Sequence, residues 1–333
     1  MNRLVGRSFS KSGQILASLR AINSHYIINS LKPIISLASH IKPKIRDLHK
    51  QVRLLSYHSI SEKRDLRNGF YFTVSPSFFR EQMYLLKEFH YNVISLNELY
   101  EFIKEEKSIP SWTAVLIFED GYADNYLFAF PILKEFGFRA TFFPVAQFID
   151  SGEIFPWLKE RAYAGGENLS LSSEQISKMS REGMDFGSHG MTHRKCITLT
   201  LKEAESEFSE SKRKLEEILN KPIIFSSYPY GSLNDFNGVH KALLKKIGYK
   251  MAVSSLIGSY GSGADLFELK SIPIYGTDTL QDFKRKIEGS YDWLGVIQRE
   301  IAQLKAALLK FGFVPKLLGD AKSKHIPSSI WRA

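Results

Sequence analysis

From Val52 onward the chain alternates short apolar runs with longer stretches whose apolar residues recur every three or four positions. The first pattern marks buried strands and the second amphipathic helices. Val52–His58 reads as a buried strand. Ser75 caps the helix that follows, Pro76 suits its first position, and Phe79, Met83, Leu86 and Phe89 lie on one face. Val93–Leu96 is predicted as a short strand, with Asn97 capping the next helix. Ala114–Phe118 is a strong buried strand closed by Glu119-Asp120-Gly121, and a helix is expected over Tyr126–Phe136, stopped by Gly137.

The alternation continues to residue 292. Strands are predicted at Arg139–Val145, Met184–Gly187, Ile223–Ser227, Lys250–Ser254 and Ser271–Tyr275. Helices are predicted at Glu174–Glu182, Leu201–Asn220, Gly238–Ile247 and Leu280–Glu288. Residues 149–173 form a polar, glycine-containing insertion, expected to lie as a loop over one face. Strand–helix alternation repeated about seven times predicts an α/β protein with a parallel sheet, open or closed. The unusual polar residues cluster just after the strands, where barrel enzymes place their sites.

Three units follow: a basic amphipathic N-terminal extension (1–50), a central α/β domain (51–292) and a basic C-terminal tail (293–333). No acid precedes Asp47, and Arg3, Arg7, Lys11, Arg20, Lys32, Lys42, Lys44 and Arg46 are interleaved with isoleucines and leucines. Such a segment suits peripheral contact with an anionic membrane, a targeting role, or simple packing on the domain. The net charge of +10 suits anionic partners. No nucleic-acid motif accompanies it, so a nucleic-acid partner is not expected. The single cysteine, Cys196, excludes an internal disulfide. No run of about 18 apolar residues predicts a membrane-spanning helix. A cytoplasmic or membrane-peripheral location is the expectation, with secretion open and the oligomeric state undetermined.

Three segments carry chemistry. In Phe118-Glu119-Asp120-Gly121-Tyr122, two carboxylates end a buried strand before a glycine turn, so one can bind a metal while the other faces water or substrate. In Ser188-His189-Gly190-Met191-Thr192-His193, the histidines stand at i and i+4, and a helical turn would put both on one face within reach of one ion. Two imidazoles and a carboxylate are a recognised catalytic zinc set that leaves a position open. In Tyr228-Pro229-Tyr230-Gly231, Pro229 fixes φ and the next backbone N–H can point at a developing oxyanion. Each segment alone has a plainer reading: a turn, two surface histidines, a generic loop.

Their order and spacing resemble the polysaccharide deacetylases with a NodB homology domain, carbohydrate esterase family 4. Ile117-Phe118-Glu119-Asp120-Gly121 stands for Thr-Phe-Asp-Asp-Gly, His189–His193 for His-Ser/Thr-x-x-His, and Tyr228-Pro229-Tyr230-Gly231 for the variant third motif. Leu54-Leu55-Ser56-Tyr57-His58-Ser59-Ile60 and Ala140-Thr141-Phe142-Phe143 are also similar to this family. The Tyr57-His58 opening and the third motif resemble the branch that deacetylates poly-N-acetylglucosamine. The resemblance covers about residues 52–292. It implies a distorted (β/α)7 TIM-like barrel. It implies a divalent metal, most often zinc, held by Asp120, His189 and His193, with Glu119 as general base and the Tyr230 N–H in the oxyanion site. The substrate implied is an N-acetylated glycan.

Three departures stand against that pattern. Glu119 replaces an aspartate; its extra methylene displaces the carboxylate by up to about 1.5 Å, and misplacement on that scale can cost on the order of 10²-fold in rate. Ser227 occupies the place of the arginine that orients the base. No late Leu-x-His motif supplies the acid, and His58, at the end of the first strand, is the candidate substitute. Two functions therefore compete: an N-deacetylase of an amino sugar in a polysaccharide or glycan precursor, and a weak or inactive relative that only binds glycan.

Overall fold

A computed structural model describes residues 50–62, 71–153, 155–158 and 170–300. The expectations for the basic N-terminal extension and for most of the C-terminal tail fall outside these residues. In chain order the strands are β1 (Arg53–Tyr57), β2 (Ser59–Ile60), β3 (Thr73–Val74), β4 (Asn92–Ile94), β5 (Thr113–Asp120) and β6 (Thr141–Pro144), then β7 (Asp185–Phe186), β8 (Phe225–Ser227), β9 (Met251–Val253) and β10 (Ile272–Pro273). The helices are α1 (Pro76–Glu88), α2 (Leu96–Lys104), α3 (Phe130–Phe136), α4 (Ser173–Arg181), α5 (Leu201–Leu219), α6 (Gly238–Ile247) and α7 (Leu280–Ile287).

The central sheet is parallel, in the order β10-β1-β5-β6-β7. A parallel bridge between Ser188 and Ser226 carries it on to β8, which pairs with β9. Beyond β9, Ser254 N–H donates to the Leu269 carbonyl and Ser271 N–H to that of Leu256, which returns the circuit to β10. The seven strands β1 and β5 to β10 thus close a ring stitched at two places by short bridges, the distorted (β/α) barrel expected. β4 lies off the ring, pairing with the first half of β5, and β2 pairs with β3.

Period-two alternation divides the strand residues between two cores. Val52, Leu54, Val115, Ile117, Phe143, Phe225, Met251 and Val253 cluster inside the ring. Leu55, Tyr57, Leu116, Phe118 and Phe142 pack outward, against α1 (Phe79, Met83) and its neighbours. Burying each such side chain contributes roughly 1.5–3 kcal/mol.

Caps fix where the helices start, each worth about 1 kcal/mol. Ser75 accepts from Phe78 N–H at the start of α1, as predicted. Capping boxes open α2 (Ser95 with Glu98), α4 (Ser172 with Gln175), α5 (Thr200 with Glu203) and α7 (Thr279 with Asp282). Ser95, not Asn97, caps α2, because Glu98 three residues on completes its box and shortens the preceding strand to Asn92–Ile94. The helix expected from Tyr126 starts as a π-helix at Asn125–Ala129 and becomes α-helical only at Phe130. Residues 293–300 stay on the barrel: Leu294 is buried, and Gln298 Oε1 accepts from Ile257 N–H at 2.8 Å. Among the described residues, no helix is long and apolar enough to cross a membrane.

Candidate active site

The three segments meet at the C-terminal ends of β5, β7 and β8. β5 delivers Glu119 and Asp120 in sequence, pointing different ways. Glu119 continues the inward row Val115-Ile117. Asp120 takes φ +71° and Gly121 φ +79°, and a Cβ on Gly121 would meet the Pro144 Cβ at 2.6 Å, so only glycine fits this turn. Asp120, His193 and Tyr230 all have left-handed backbones (φ +71°, +63°, +64°). Each costs on the order of 1 kcal/mol or more, and such strain persists where surrounding contacts enforce it.

The helical turn expected for His189–His193 does not form. Gly190 (φ +78°) and His193 (φ +63°) break it, and the segment is a loop. Glu207 of α5 holds that loop: its carboxylate accepts from Thr192 N–H at 2.5 Å and from the Thr192 hydroxyl at 2.9 Å. The two histidines converge nonetheless. His189 Nε2 lies 3.5 Å and His193 Nε2 3.4 Å from Asp120 Oδ1. All three donor atoms lie within 4.8 Å of one another, and Asp120 and His189 are buried.

This donor set fits a metal ion. Zinc–ligand bonds of 2.0–2.1 Å in a tetrahedral shell place neighbouring donors about 3.3 Å apart, close to the two histidine–aspartate separations. His189 Nδ1 lies 3.0 Å from the Ser227 carbonyl, an arrangement in which Nδ1 donates and Nε2 turns its lone pair to the centre. Burial lowers the pKa of both His189 and His193, so both are neutral, as ligands must be. Burial and then the Glu119 charge push the Asp120 carboxyl up to about 8, a buried acid that a cation would compensate. Among the described residues, the buried Nδ1 of His193 has no hydrogen-bond partner. Its ring packs instead against those of Trp157 (4.4 Å) and Tyr230 (4.9 Å), tilted to each.

Glu119 sits beside this centre. Its Oε1 accepts from the Ser227 hydroxyl at 2.5 Å and its Oε2 from the Ser56 hydroxyl at 3.1 Å. His58 Nε2 is 3.5 Å from Glu119 Oε2. Burial lowers the His58 pKa to about 4, against the Glu119 charge, which favours its protonation. The Phe72 ring packs against the His58 ring, tilted, with centroids 4.3 Å apart. Tyr230 is half exposed at the rim, with Lys195 Nζ 4.5 Å from its ring centre. Its backbone N–H donates to no acceptor among the described residues. Thus all six residues singled out from the sequence gather at one end of the barrel.

Sequence reasoning missed Ser56, Glu207, Phe72 and Trp157. Two left a signal. Ser56 follows Val52 and Leu54 on the inward row, and Glu207 interrupts the buried stripe Ala204, Phe208, Ser211, Leu215 of α5. An acid on a buried stripe needs a partner, here the Thr192 loop.

A parallel barrel presenting an Asp-His-His donor set and a second carboxylate at its strand ends is the layout of a metallohydrolase. Residues 107–252 match the sequence profile of the polysaccharide deacetylases. The chain is 29% identical over 222 residues to YxkH of Bacillus subtilis (strain 168), a protein named for this family, covering 66% of this chain and 70% of that one. It is 27% identical over 270 residues to the poly-beta-1,6-N-acetyl-D-glucosamine N-deacetylase of Escherichia coli (strain K12), covering 72% of this chain but only 39% of that protein. The crystal structure of a polysaccharide deacetylase from Bacillus cereus superposes with a TM-score of 0.59 at 25% identity, covering 71% of this chain and 69% of that one. Over residues 107–252 the chain is thus similar to the polysaccharide deacetylase family.

Proposed function

We propose that the protein is a metal-dependent N-deacetylase that hydrolyses the acetamide of an N-acetylated amino sugar in a polysaccharide or glycan precursor. The observation that carries this reading is the convergence of Asp120, His189 and His193 on one point with Glu119 beside it. A donor set of two imidazoles and one carboxylate favours zinc. The relatives named for poly-N-acetylglucosamine deacetylation support a β-linked N-acetylglucosamine polymer as substrate class.

A cation held by Asp120, His189 and His193 would supply Lewis acidity to the acetamide carbonyl and to the attacking water. Glu119 takes the proton of that water; its two serine contacts leave lone pairs free for the task. The Tyr230 N–H, which donates to no acceptor among the described residues, is free to stabilise the charge that develops on the carbonyl oxygen. His58, its Nε2 3.5 Å from Glu119 Oε2, relays the proton that Glu119 has taken from water to the amine nitrogen as the C–N bond breaks, which yields acetate and a free amino sugar.

The test is acetate release from N-acetylglucosamine oligomers by zinc- or cobalt-loaded protein. Glu119→Gln is expected to keep one metal per chain and lose release by at least about 10²-fold. His189→Ala and His193→Ala are expected to lose both metal and release. A Glu119→Gln protein with unchanged turnover would remove Glu119 as the base. Wild-type protein that holds metal and binds the oligomers tightly without releasing acetate would establish the glycan-binding reading instead.

A further inference from the structure

The family pattern pairs an aspartate with an arginine where this chain has Glu119 and Ser227. Taken singly, each change looks like damage. The structure shows them meeting. Three inward rows of the barrel rise through apolar layers to one polar layer: Val52-Leu54-Ser56 on β1, Val115-Ile117-Glu119 on β5, and Phe225-Ser227 on β8. In that top layer the Ser227 hydroxyl donates to Glu119 Oε1 and the Ser56 hydroxyl to Oε2. Among the described residues neither hydroxyl has another partner. Both serines are buried, at 0% and 3% exposure, and they come from strands on different sides of the ring.

We propose that Ser56 and Ser227 are the positioning residues of Glu119, a two-hydroxyl clamp that fixes the longer carboxylate in place of the shorter acid and its arginine. The inference rests on the reading of Glu119 as the base. A glutamate has one more rotatable bond than an aspartate, and an unheld carboxylate would spread over rotamers far wider than the tolerance of about 0.5 Å that a working site needs. Holding both oxygens, one from each side of the barrel, removes that freedom. The extra methylene, about 1.5 Å of reach, is what lets the carboxylate touch both serines at once. Ser227 also ties the clamp to the metal centre, because its carbonyl is the partner of His189 Nδ1.

The experiment is steady-state acetate release by zinc-loaded full-length protein on N-acetylglucosamine oligomers, with zinc content measured for each variant. Ser56→Ala and Ser227→Ala are each expected to lower kcat about 10- to 100-fold, the loss of a hydrogen bond to a charged group, with KM within about twofold. Glu119→Asp, the family's own residue, is expected to lower kcat rather than raise it. In the Glu119→Asp background the shorter acid cannot reach Ser227, so adding Ser227→Ala is expected to cost less than about twofold more. A purely structural serine would cost the same in both backgrounds. Glu119→Asp faster than wild type, or both serine variants within twofold of wild type while Glu119→Gln is inactive, overturns the clamp and leaves the base assignment standing. An active Glu119→Gln overturns the base assignment itself. Should Ser227→Ala lose zinc, Ser56→Ala decides alone, since Ser56 touches no metal ligand.

Discussion

At the residue scale, the two histidines of the donor set are held by different physics. His189 is fixed by a hydrogen bond to a strand-end carbonyl, the usual way of orienting a metal-binding imidazole. Among the described residues His193 has no such bond, and its ring packs against those of Trp157 and Tyr230. Trp157 is itself anchored, its Nε1 donating to the Tyr122 hydroxyl at 2.9 Å and its ring stacked on Phe155 at 4.8 Å. Aromatic pairs contribute about 0.5–1.5 kcal/mol beyond area burial. Trp157→Ala should therefore weaken zinc retention by roughly 2- to 10-fold, whereas Trp157→Phe, which keeps a ring, should stay within about twofold. Competition with a zinc chelator measures this directly. Equal retention in both variants would mean that the backbone of the loop, not the indole, sets His193.

At the element scale, the barrel closes only because one strand thins to a glycine. β7 pairs with β6 for two residues, and Gly187 then faces the interior. A Cβ there would lie 2.3 Å from the Phe143 ring and 2.9 Å from the Phe225 carbonyl oxygen. Gly187→Ala must displace Phe143 from the inner core or push β7 from β8, a cost of about 1–3 kcal/mol. Urea unfolding should show that loss as a lower midpoint. An unchanged midpoint would show that the core yields at no cost. This constraint was not readable from the chain, because a glycine before Ser188 and His189 looks like an ordinary strand end.

The same contrast holds for other elements. Strand and helix positions followed from periodicity because a single face of each is buried, and the inward and outward rows of β1 and β5 obey it residue by residue. What escaped were choices settled by partners distant in sequence. The left-handed His193 depends on Glu207, which grips the neighbouring Thr192 from fifteen residues along the chain, and local spacing instead favoured a helical turn. The residue types of the metal set were visible in the motifs. The clamp on Glu119 was not, since Ser227 registered only as a missing arginine and Ser56 sits 63 positions from its partner.

At the scale of the whole molecule, the mouth of the barrel is braced by contacts between distant segments. Asp124, just past the Glu119-Asp120 turn, accepts from the Ser59 hydroxyl at 2.6 Å and from Ile60 N–H at 3.1 Å, tying β2 to the loop after β5. Asn125 Nδ2 adds a third donor at 2.9 Å. Burial outweighs these donors and pushes the Asp124 carboxyl up to about 7. The sign of the consequence follows from linkage. Between the unfolded value near 3.8 and the folded value near 7, the folded state holds a proton that the unfolded state has lost. Stability from this group is therefore greatest below pH 3.8, falls as pH rises toward 7, and is constant above it, with a slope on the order of 1 kcal/mol per pH unit at most. Asp124→Asn keeps the shape and the acceptor for Ile60 and Asn125, and the Ser59 hydroxyl can turn to accept from the new amide. The variant cannot titrate, so its melting temperature relative to wild type should climb between pH 5 and pH 7 and stop climbing beyond. A difference that stays flat across that range would mean that Asp124 is ionised throughout, its three donors outweighing its burial, and that the mouth is braced by a charge rather than by a buried neutral acid.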